Sequence, residues 1–237
     1  MAVYRGEAFL ETQLASVLSQ LAQGDELVIS YDRPADCADK ETDPTWQIIS
    51  EAAKKDPRIL LTEGPCKGAA KNFENALRHC AGDVIFLCDQ DDCWLPNKRE
   101  AVLAAFSDPK LILVLHDASV TDEALQIQAP SFFAKRGCRL GFWRNLLKNS
   151  FIGCCMAFRR ELIGDILPFP DKLPMHDQWI GLTAGRVGRV ALLPEPLLLY
   201  RRHGKNASGD RHEKFSVMLK WRLRLLFYCL KWRRHGK

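Results

Sequence analysis

Apolar residues over the first 122 positions follow two alternating rhythms. In "EAFLETQLASVLSQL" (7–21), Phe9, Leu10, Leu14, Val17, Leu18 and Leu21 recur at three- and four-residue steps, the spacing of a helix with one buried face. "DELVISYD" (25–32) is a short apolar run closed by acids, the pattern of a buried strand. The alternation then repeats. Helices are predicted over 44–55, 69–80 and 96–106, the last opened by Pro96, and strands over 58–64, 83–89 and 110–122. Strands separated by helices of this length predict βαβ units. The expected fold is therefore α/β, a mostly parallel central sheet with helices on both faces.

The order loosens after about residue 125. Helices are predicted over 140–149 and 176–188, a buried strand followed by a helix over 151–163, and two short strands about Pro194 over 189–203. At the other end, "MAVYRGE" leaves at most a three-residue stub before the first helix, so the first strand is expected to be cut short.

Composition narrows the class. A chain of 237 residues, 47% hydrophobic and 27% charged, has the make-up of a soluble globular protein of one large or two small domains. Its nine cysteines are odd in number, include no CxxC pair and lie mostly in apolar runs. They read as reduced, buried thiols of a cytosolic protein rather than a disulfide framework or a zinc site. Charge is unevenly spread. Residues 201–237 carry 12 Lys/Arg against 2 acids, whereas the first 200 carry 22 against 27. The basic partner surface is therefore expected in the tail, and an acidic body without a groove-reading module argues against nucleic acid.

The tail, "FSVMLKWRLRLLFYCLKWRRHGK", predicts one long amphipathic helix. Phe215, Met218, Leu219, Leu223, Leu226, Phe227 and Leu230 are set among Lys220, Arg222, Arg224, Lys231, Arg233 and Arg234. Its longest uncharged run, Leu225 to Leu230, is far short of the ~20 residues that cross a bilayer. The pattern suits a helix lying in the headgroup layer of an anionic leaflet, with packing on its own domain as the alternative.

Three places carry candidate chemistry. "DVIFLCDQDDCWLPNK" (83–98) runs an apolar strand into Asp89, Asp91 and Asp92. Acids so close together repel unless a cation or donors compensate. Asp89 and Asp91, two apart, point the same way in extended chain, which suits a hard divalent cation. "HDQWI" (176–180) puts Asp177 at a helix start, as a cap or as a general base. "YRRHGKN" (200–206) clusters Arg201, Arg202, His203 and Lys205 after a strand, as a solvated loop or a phosphate clamp.

Taken in order, "AVYRGEAFLETQLASVLSQ", "ELVISYD", "KNFENAL", "GDVIFLCDQDDCWLPNK", "NSFIGCCMAFRREL", "HDQWI" and "LLLYRRHGKN" closely resemble the family 2 glycosyltransferases from residue 2 to about 206. The likeness is greatest to bacterial members that build rhamnose-containing or O-antigen polysaccharide. The resemblance implies a nucleotide-diphospho-sugar transferase fold and an inverting transfer. It divides the chain into a glycosyltransferase domain (1–206) and a basic amphipathic helix (207–237). Within the domain, 1–122 would bind the nucleotide sugar and 123–206 the acceptor. Asp89 and Asp91 correspond to the family's metal-binding acids, with Mg²⁺ or Mn²⁺ as the cation, and Asp177 to the general base. Asp32 corresponds to the acid that contacts the nucleobase, and Ala2 and Tyr4 to the first-strand end that lines the base pocket. Lys71 corresponds to a basic position near the donor phosphates. Arg201 and His203 correspond to a late loop over the diphosphate, and the "FIGCC" strand and Trp179 to the acceptor border. The expected partners are a UDP- or dTDP-sugar, a lipid-linked saccharide and an anionic membrane surface, at the cytoplasmic inner face of the cell membrane.

One departure stands out: "YDRPAD" replaces the family's "DDGSTD", so Tyr31 stands for the first acid and Arg33 for a turn glycine. Two other classes remain open at this point. A nucleotidyltransferase would need a glycine-rich basic loop after its first strand. A truncated relic would bind a membrane or a partner without chemistry.

Overall fold

The five residues Leu27–Tyr31 are all buried, as a parallel strand covered on both faces should be. The computed structural model that places them describes residues 1–173, 175–204 and 215–232. In chain order the elements are β1 (Ala2–Val3), α1 (Leu10–Leu18), β2 (Leu27–Tyr31), α2 (Pro44–Lys55), β3 (Ile59–Glu63), α3 (Ala69–His79), β4 (Val84–Phe86), β5 (Cys93–Trp94) and α4 (Lys98–Ala105). They continue as β6 (Leu111–Thr121), β7 (Ile127–Ala129), α5 (Phe132–Arg136), α6 (Phe142–Leu147), β8 (Met156–Arg159), α7 (Ile163–Ile166), α8 (His176–Val187), β9 (Arg189–Arg201) and α9 (Phe215–Lys231).

The fold is α/β, with strands in two groups. Strands β1, β2 and β3 lie side by side in that order, all parallel, with Ala2 opposite Ser30 and Leu27 opposite Ile59. The second sheet runs β4-β8-β6-β9-β5, with β7 beside β6. Here only β6 and β9 pair in parallel; β4 with β8, β8 with β6, β9 with β5 and β6 with β7 are antiparallel. The parallel arrangement expected of the whole sheet thus holds for the βαβ stretch and for β6–β9, and the later strands depart from it. Helices α5, α6, α7 and α8 still lie between these strands, so their direction is set by which strands pair across the sheet and not by a lack of connecting helices.

The first strand is two residues long, as its short apolar stub suggested. It lies at the edge of its three-stranded group, where the Met1 carbonyl accepts from the Ser30 amide (3.0 Å) and the Val3 carbonyl from the Asp32 amide (2.9 Å). The two strands predicted about Pro194 are one strand, β9. Leu193 faces His116 and Pro196 faces Asp117, so Pro194 and Glu195 form an irregularity in a continuous ladder. Proline has no N–H to give, and a bulge is where a sheet tolerates it. Residues 151–163 form a 3₁₀ turn (Gly153–Cys155), then β8, then a second 3₁₀ turn (Arg160–Leu162) that leads into the short α7.

One apolar core runs from Met1 through the sheets to Leu225 and Cys229 of α9. The tail helix therefore packs on the domain, against α6 and α8. The tail residues 207–214 and 233–237 lie outside the described residues. All nine cysteines are free, with Cys88, Cys154, Cys155 and Cys229 buried and Cys66 exposed.

Candidate active site

The acidic loop is held from below by polar residues of α1. Strand β4 sits beside β8, and the Leu87 amide extends the contact to the Met156 carbonyl (3.0 Å). Gln13, fully buried, donates its amide nitrogen to the Asp89 carbonyl (2.7 Å) and to Cys88 Sγ (3.1 Å). Ser16 Oγ accepts from the Trp94 amide (3.0 Å), and Gln20 donates to the Leu95 carbonyl (3.0 Å) while accepting from the Arg99 amide (3.2 Å). Gln13 and Ser16 share one face of α1, and Gln20 follows in the turn after it, so the three form a polar rail that satisfies the backbone of an irregular loop. From the other side, Gln90 clamps Tyr4 twice: its Oε1 accepts from the Tyr4 amide (2.8 Å), and its Nε2 donates to the Tyr4 carbonyl (2.9 Å). Gly6 leaves room for this clamp: a Cβ there would lie 2.6 Å from Gln90 Oε1, so the glutamine would have to shift.

The acids do not share one environment. Asp89 is half-buried, and its carboxyl is pushed up to about 7 by burial first and then by the charges of Asp91 and Asp177. Asp92 is fully buried. Its Oδ1 accepts from the Arg201 amide (3.1 Å), while Oδ2 has no donor at bonding geometry, with the Cys154 thiol beside it. Burial, with Asp89 and Asp91 nearby, raises the Asp92 carboxyl well above the usual range. Ligand atoms of Asp89, Asp92 and Cys154 lie within 4.8 Å of one another.

Asp91 points elsewhere. Its Oδ2 lies 2.8 Å from His203 Nε2, and its carbonyl accepts from Arg201 Nε (2.7 Å). Arg201 also donates to the Glu123 carbonyl (2.5 Å) and lies over the Phe9 ring. The structure thus brings Arg201 and His203 against the acidic loop. The carboxylate gathered with Asp89 is that of Asp92, the most deeply buried of the three acids, while the expected partner Asp91 turns its carboxylate to His203. The fit to a cation is good: an unsatisfied buried carboxylate oxygen faces a second carboxylate, and hard divalent cations take oxygen ligands. Burial holds the Cys154 thiol well above its ordinary value, so it stays protonated and is the weakest donor of the group.

A buried lysine lies beneath this cluster. Lys98 is 1% exposed, donates to the Cys154 carbonyl (3.0 Å) and stands 4.3 Å over the Trp94 ring. Burial lowers its pKa, and its charge in turn favours the ionised form of Asp89.

Asp177 approaches from the far side. Helix α8 is capped at Met175 without a side-chain bond, so Asp177 is not the cap; it lies in the first turn. Its Oδ1 accepts from the Gln178 amide (2.6 Å), and the Gly153 amide also favours its charged form. Burial nevertheless pushes it up to about 7. The turn at Gly153–Cys155 lies between the two poles. A Cβ on Gly153 would meet His176 Nε2 at 3.3 Å and Asp177 Cβ at 3.8 Å. His176 stacks on Phe73 (4.4 Å between centroids), and burial drops its pKa to about 4, so it is neutral. Trp179, expected at the acceptor border, is core instead, with its indole N–H on the Ile166 carbonyl (3.0 Å).

Asp32 forms a third pole at the end of β2. It is buried, its Oδ1 accepts from the Cys66 amide (2.7 Å), and burial raises its carboxyl. Asn72 lies alongside, donating to the Val3 carbonyl (3.2 Å) and leaving a buried Oδ1 without a partner. The altered turn has a physical account. Tyr31 turns into the core and donates to Asp43 (2.5 Å), the residue that caps α2, and Arg33 donates to the Ala38 carbonyl (3.1 Å). Ala2 is half-buried opposite Ser30, and Tyr4 is about half exposed. Lys71 is engaged by Glu74 (2.7 Å) and the Phe169 carbonyl (3.1 Å), which ties α3 to the segment before α8.

Gly64 keeps the Asp32 pole open. A Cβ there would lie 2.2 Å from Asp32 Oδ1 and 2.6 Å from Asn72 Oδ1. Gly64→Ala is expected to displace both side chains, at a cost of about 1–3 kcal/mol by urea denaturation, and to weaken nucleotide binding measured by calorimetry.

Comparison with known proteins agrees with this architecture. Residues 1–167 match the model described as Glycosyl transferase family 2. An uncharacterized protein of Mycobacterium tuberculosis is 26% identical over 220 residues, covering 90% of this chain and 60% of that protein. The Escherichia coli UDP-Glc:alpha-D-GlcNAc-diphosphoundecaprenol beta-1,3-glucosyltransferase WfgD is 28% identical over 171 residues, covering 72% of this chain and 62% of its own length. The chain thus spans about six-tenths of the length of these relatives. Among solved structures, S. aureus TarS 1–349 in complex with UDP-GlcNAc superposes with a TM-score of 0.72 at 15% identity, over 99% of this chain and 66% of that one.

Proposed function

Because this chain belongs to glycosyl transferase family 2, we propose that it is a metal-dependent inverting glycosyltransferase that moves a sugar from a UDP- or dTDP-sugar to a lipid-linked saccharide. The observation that carries the reading is the pairing of two poles across one turn. Asp89 and Asp92 lie together beside Cys154, with Asp91 and Asp92 held by His203 and Arg201, on one side of Gly153–Cys155, and Asp177, poised at about 7, stands on the other.

On this reading Asp89 and Asp91, with Asp92 behind them, hold Mg²⁺ or Mn²⁺. A bound cation supplies positive charge where negative charge develops on the departing diphosphate. Asp32 and Asn72 offer acceptors to the nucleobase, with Ala2 and Tyr4 on the pocket wall. Arg201 fixes the Asp91 backbone, and His203 orients its carboxylate. Asp177 takes the proton of the acceptor hydroxyl, and its near-neutral carboxyl suits that task because a general base works best near the operating pH. Lys71, bonded to the Phe169 carbonyl, holds the segment that leads to Asp177.

The donor class is supported by the UDP-GlcNAc complex of TarS, and the acceptor class by the diphosphoundecaprenol named for WfgD. Such an acceptor belongs to the assembly of bacterial cell-surface polysaccharide, O-antigen included, at the cytoplasmic inner face of the cell membrane. No helix among the described residues is long and apolar enough to cross a membrane, and the basic helix α9 is the proposed contact with an anionic surface.

The test uses sugar-labelled UDP- and dTDP-sugars with a diphosphopolyprenol-linked saccharide. Sugar label is expected in the lipid phase with Mn²⁺ and not with a chelator. Transfer that ignores the chelator contradicts metal dependence, and no transfer, with pyrophosphate released instead from a nucleoside triphosphate and a sugar 1-phosphate, points to a nucleotidyltransferase.

A further inference from the structure

Helix α9 has two faces that touch different things. Toward the domain, Leu225 and Cys229 are buried, and Arg186 of α8 donates to the Cys229 carbonyl and lies 4.7 Å from the Trp232 ring centroid. Three side chains from this end of the chain also donate to carbonyls of the stretch leading from α7 toward α8. Trp232 Nε1 reaches Asp165 (2.8 Å), Tyr228 Oη reaches Asp171, and Arg224 Nη1 reaches Lys172 (3.2 Å). A few residues further on, that stretch enters α8 at His176 and Asp177.

The opposite face carries Leu219, Leu223, Phe227 and Leu230, which are 43%, 59%, 50% and 74% exposed. Steps of four, four and three place them in one stripe. Four large exposed apolar side chains in a row on a soluble surface mark an interaction site. Between Phe215 and Lys231 there is no acid, and Lys220, Arg222, Arg224 and Lys231 accompany the stripe. Helix α6, packed on α9, exposes Trp143 and Leu147 as well. An apolar stripe flanked by cations alone matches an anionic bilayer, whose acyl layer takes the stripe while its headgroups take the charge. A second copy of the same helix fits poorly, because it would bring like charges together.

We propose that the Leu219–Leu223–Phe227–Leu230 stripe docks on an anionic bilayer and that α9, through its inner face, couples that docking to the seating of the segment that carries Asp177. The proposal rests on the membrane reading above and adds the docking face and the regulation. A bilayer that binds the docked helix favours the state in which its three donors hold Asp165, Asp171 and Lys172. The segment before Asp177 is then more ordered at the membrane than in solution, and the base is seated where a lipid-linked acceptor resides.

The full chain is mixed with vesicles of phosphatidylcholine alone, or with phosphatidylglycerol in equal part, and followed by sedimentation and by hydrogen exchange over residues 165–180. Wild type should sediment with the anionic vesicles only, and exchange over 165–180 should slow by roughly tenfold. Leu223→Glu with Phe227→Glu should lose both effects. Tyr228→Phe with Arg224→Gln should still sediment but lose the slowing. Sedimentation with unchanged or faster exchange over 165–180 in wild type overturns the coupling and leaves the membrane reading intact. Failure to sediment overturns both, while the transfer assay tests the enzymatic reading independently. A concentration-dependent dimer abolished by the double glutamate variant makes a second copy the occupant and overturns the proposal.

Discussion

Asp177→Asn is expected to lower transfer by roughly 10²–10⁴-fold, the range general-base catalysis contributes, while UDP affinity stays within about twofold of wild type. Asparagine keeps the oxygen that accepts from the Gln178 amide (2.6 Å) and fills the same space against Gly153, so the start of α8 should not move. What is lost is the ability to take a proton. The wild-type rate should therefore fall about tenfold per pH unit on the acid side of about 7, where burial places this carboxyl, and level off above. The variant should show no such limb. A variant that retains both transfer and the acid limb puts the base elsewhere.

Asp91→Asn carries the other large effect. Metal-dependent turnover is expected to fall by about 10²–10³-fold, the scale on which single electrostatic contacts to a developing charge act. A second readout follows from linkage. Asp89 and Asp177 both have folded-state values of about 7 against an ordinary 3.8, so the folded protein holds their protons more tightly than the unfolded chain. Their contribution to metal-free stability should therefore be fullest below about pH 4, decline as pH rises to about 7 and stay flat beyond, opposed between about pH 4 and 6.5 by His176, which is buried neutral. The loss is on the order of 3 kcal/mol per fully buried carboxyl and less for the half-buried Asp89. Mn²⁺ should restore part of this stability at pH 8. In Asp91→Asn one of the charges that raises Asp89 is gone, so the slope between pH 4 and 7 should be shallower and the Mn²⁺ effect absent. Thermal unfolding across pH, with and without Mn²⁺, measures all of this.

Much of this arrangement is legible in the sequence alone. The helix predicted over 44–55 is Pro44–Lys55, because Asp43 caps it, Pro44 suits its first turn and Lys54 and Lys55 suit its last. The acids are legible because three carboxylates crowded at the end of a strand repel one another unless a cation or donors compensate, although an acidic turn would read the same way. The supporting residues are not. Gln13, Gln90, Asn72 and Lys98 are single polar residues, and their partners lie 56 to 86 positions away in sequence. Nothing local distinguishes such a residue from a solvated one; a glutamine on an otherwise apolar helix face is the one available signal. The weight of Asp92 is hidden for the same reason: its burial depends on Arg201, which is 109 positions away. Pro194 suggests a break in the strand, but pairing with β6 on both sides of it outweighs two residues out of register. The second sheet is largely antiparallel although helices lie between most of its strands, a choice made by tertiary pairing rather than local pattern.

The tail helix packs on its own domain, the alternative reading of its sequence, and the membrane reading rests on the face it leaves exposed. Its buried side, Leu225 and Cys229, is absent from the apolar stripe predicted from sequence, and several residues of that stripe are the ones left exposed. A helix with apolar residues on two faces has a place for the domain and another for something else.

The proposed roles divide the acids: Asp89 and Asp91 would bind a divalent cation together with the donor diphosphate, while Asp177 would act only on the acceptor. Calorimetric titration of UDP into wild type, Asp91→Asn and Asp177→Asn, each with and without Mn²⁺, tests this division most directly. The account predicts Mn²⁺-dependent UDP binding in wild type and in Asp177→Asn, and its loss in Asp91→Asn. Equal UDP binding with and without Mn²⁺, unchanged by Asp91→Asn, would contradict it.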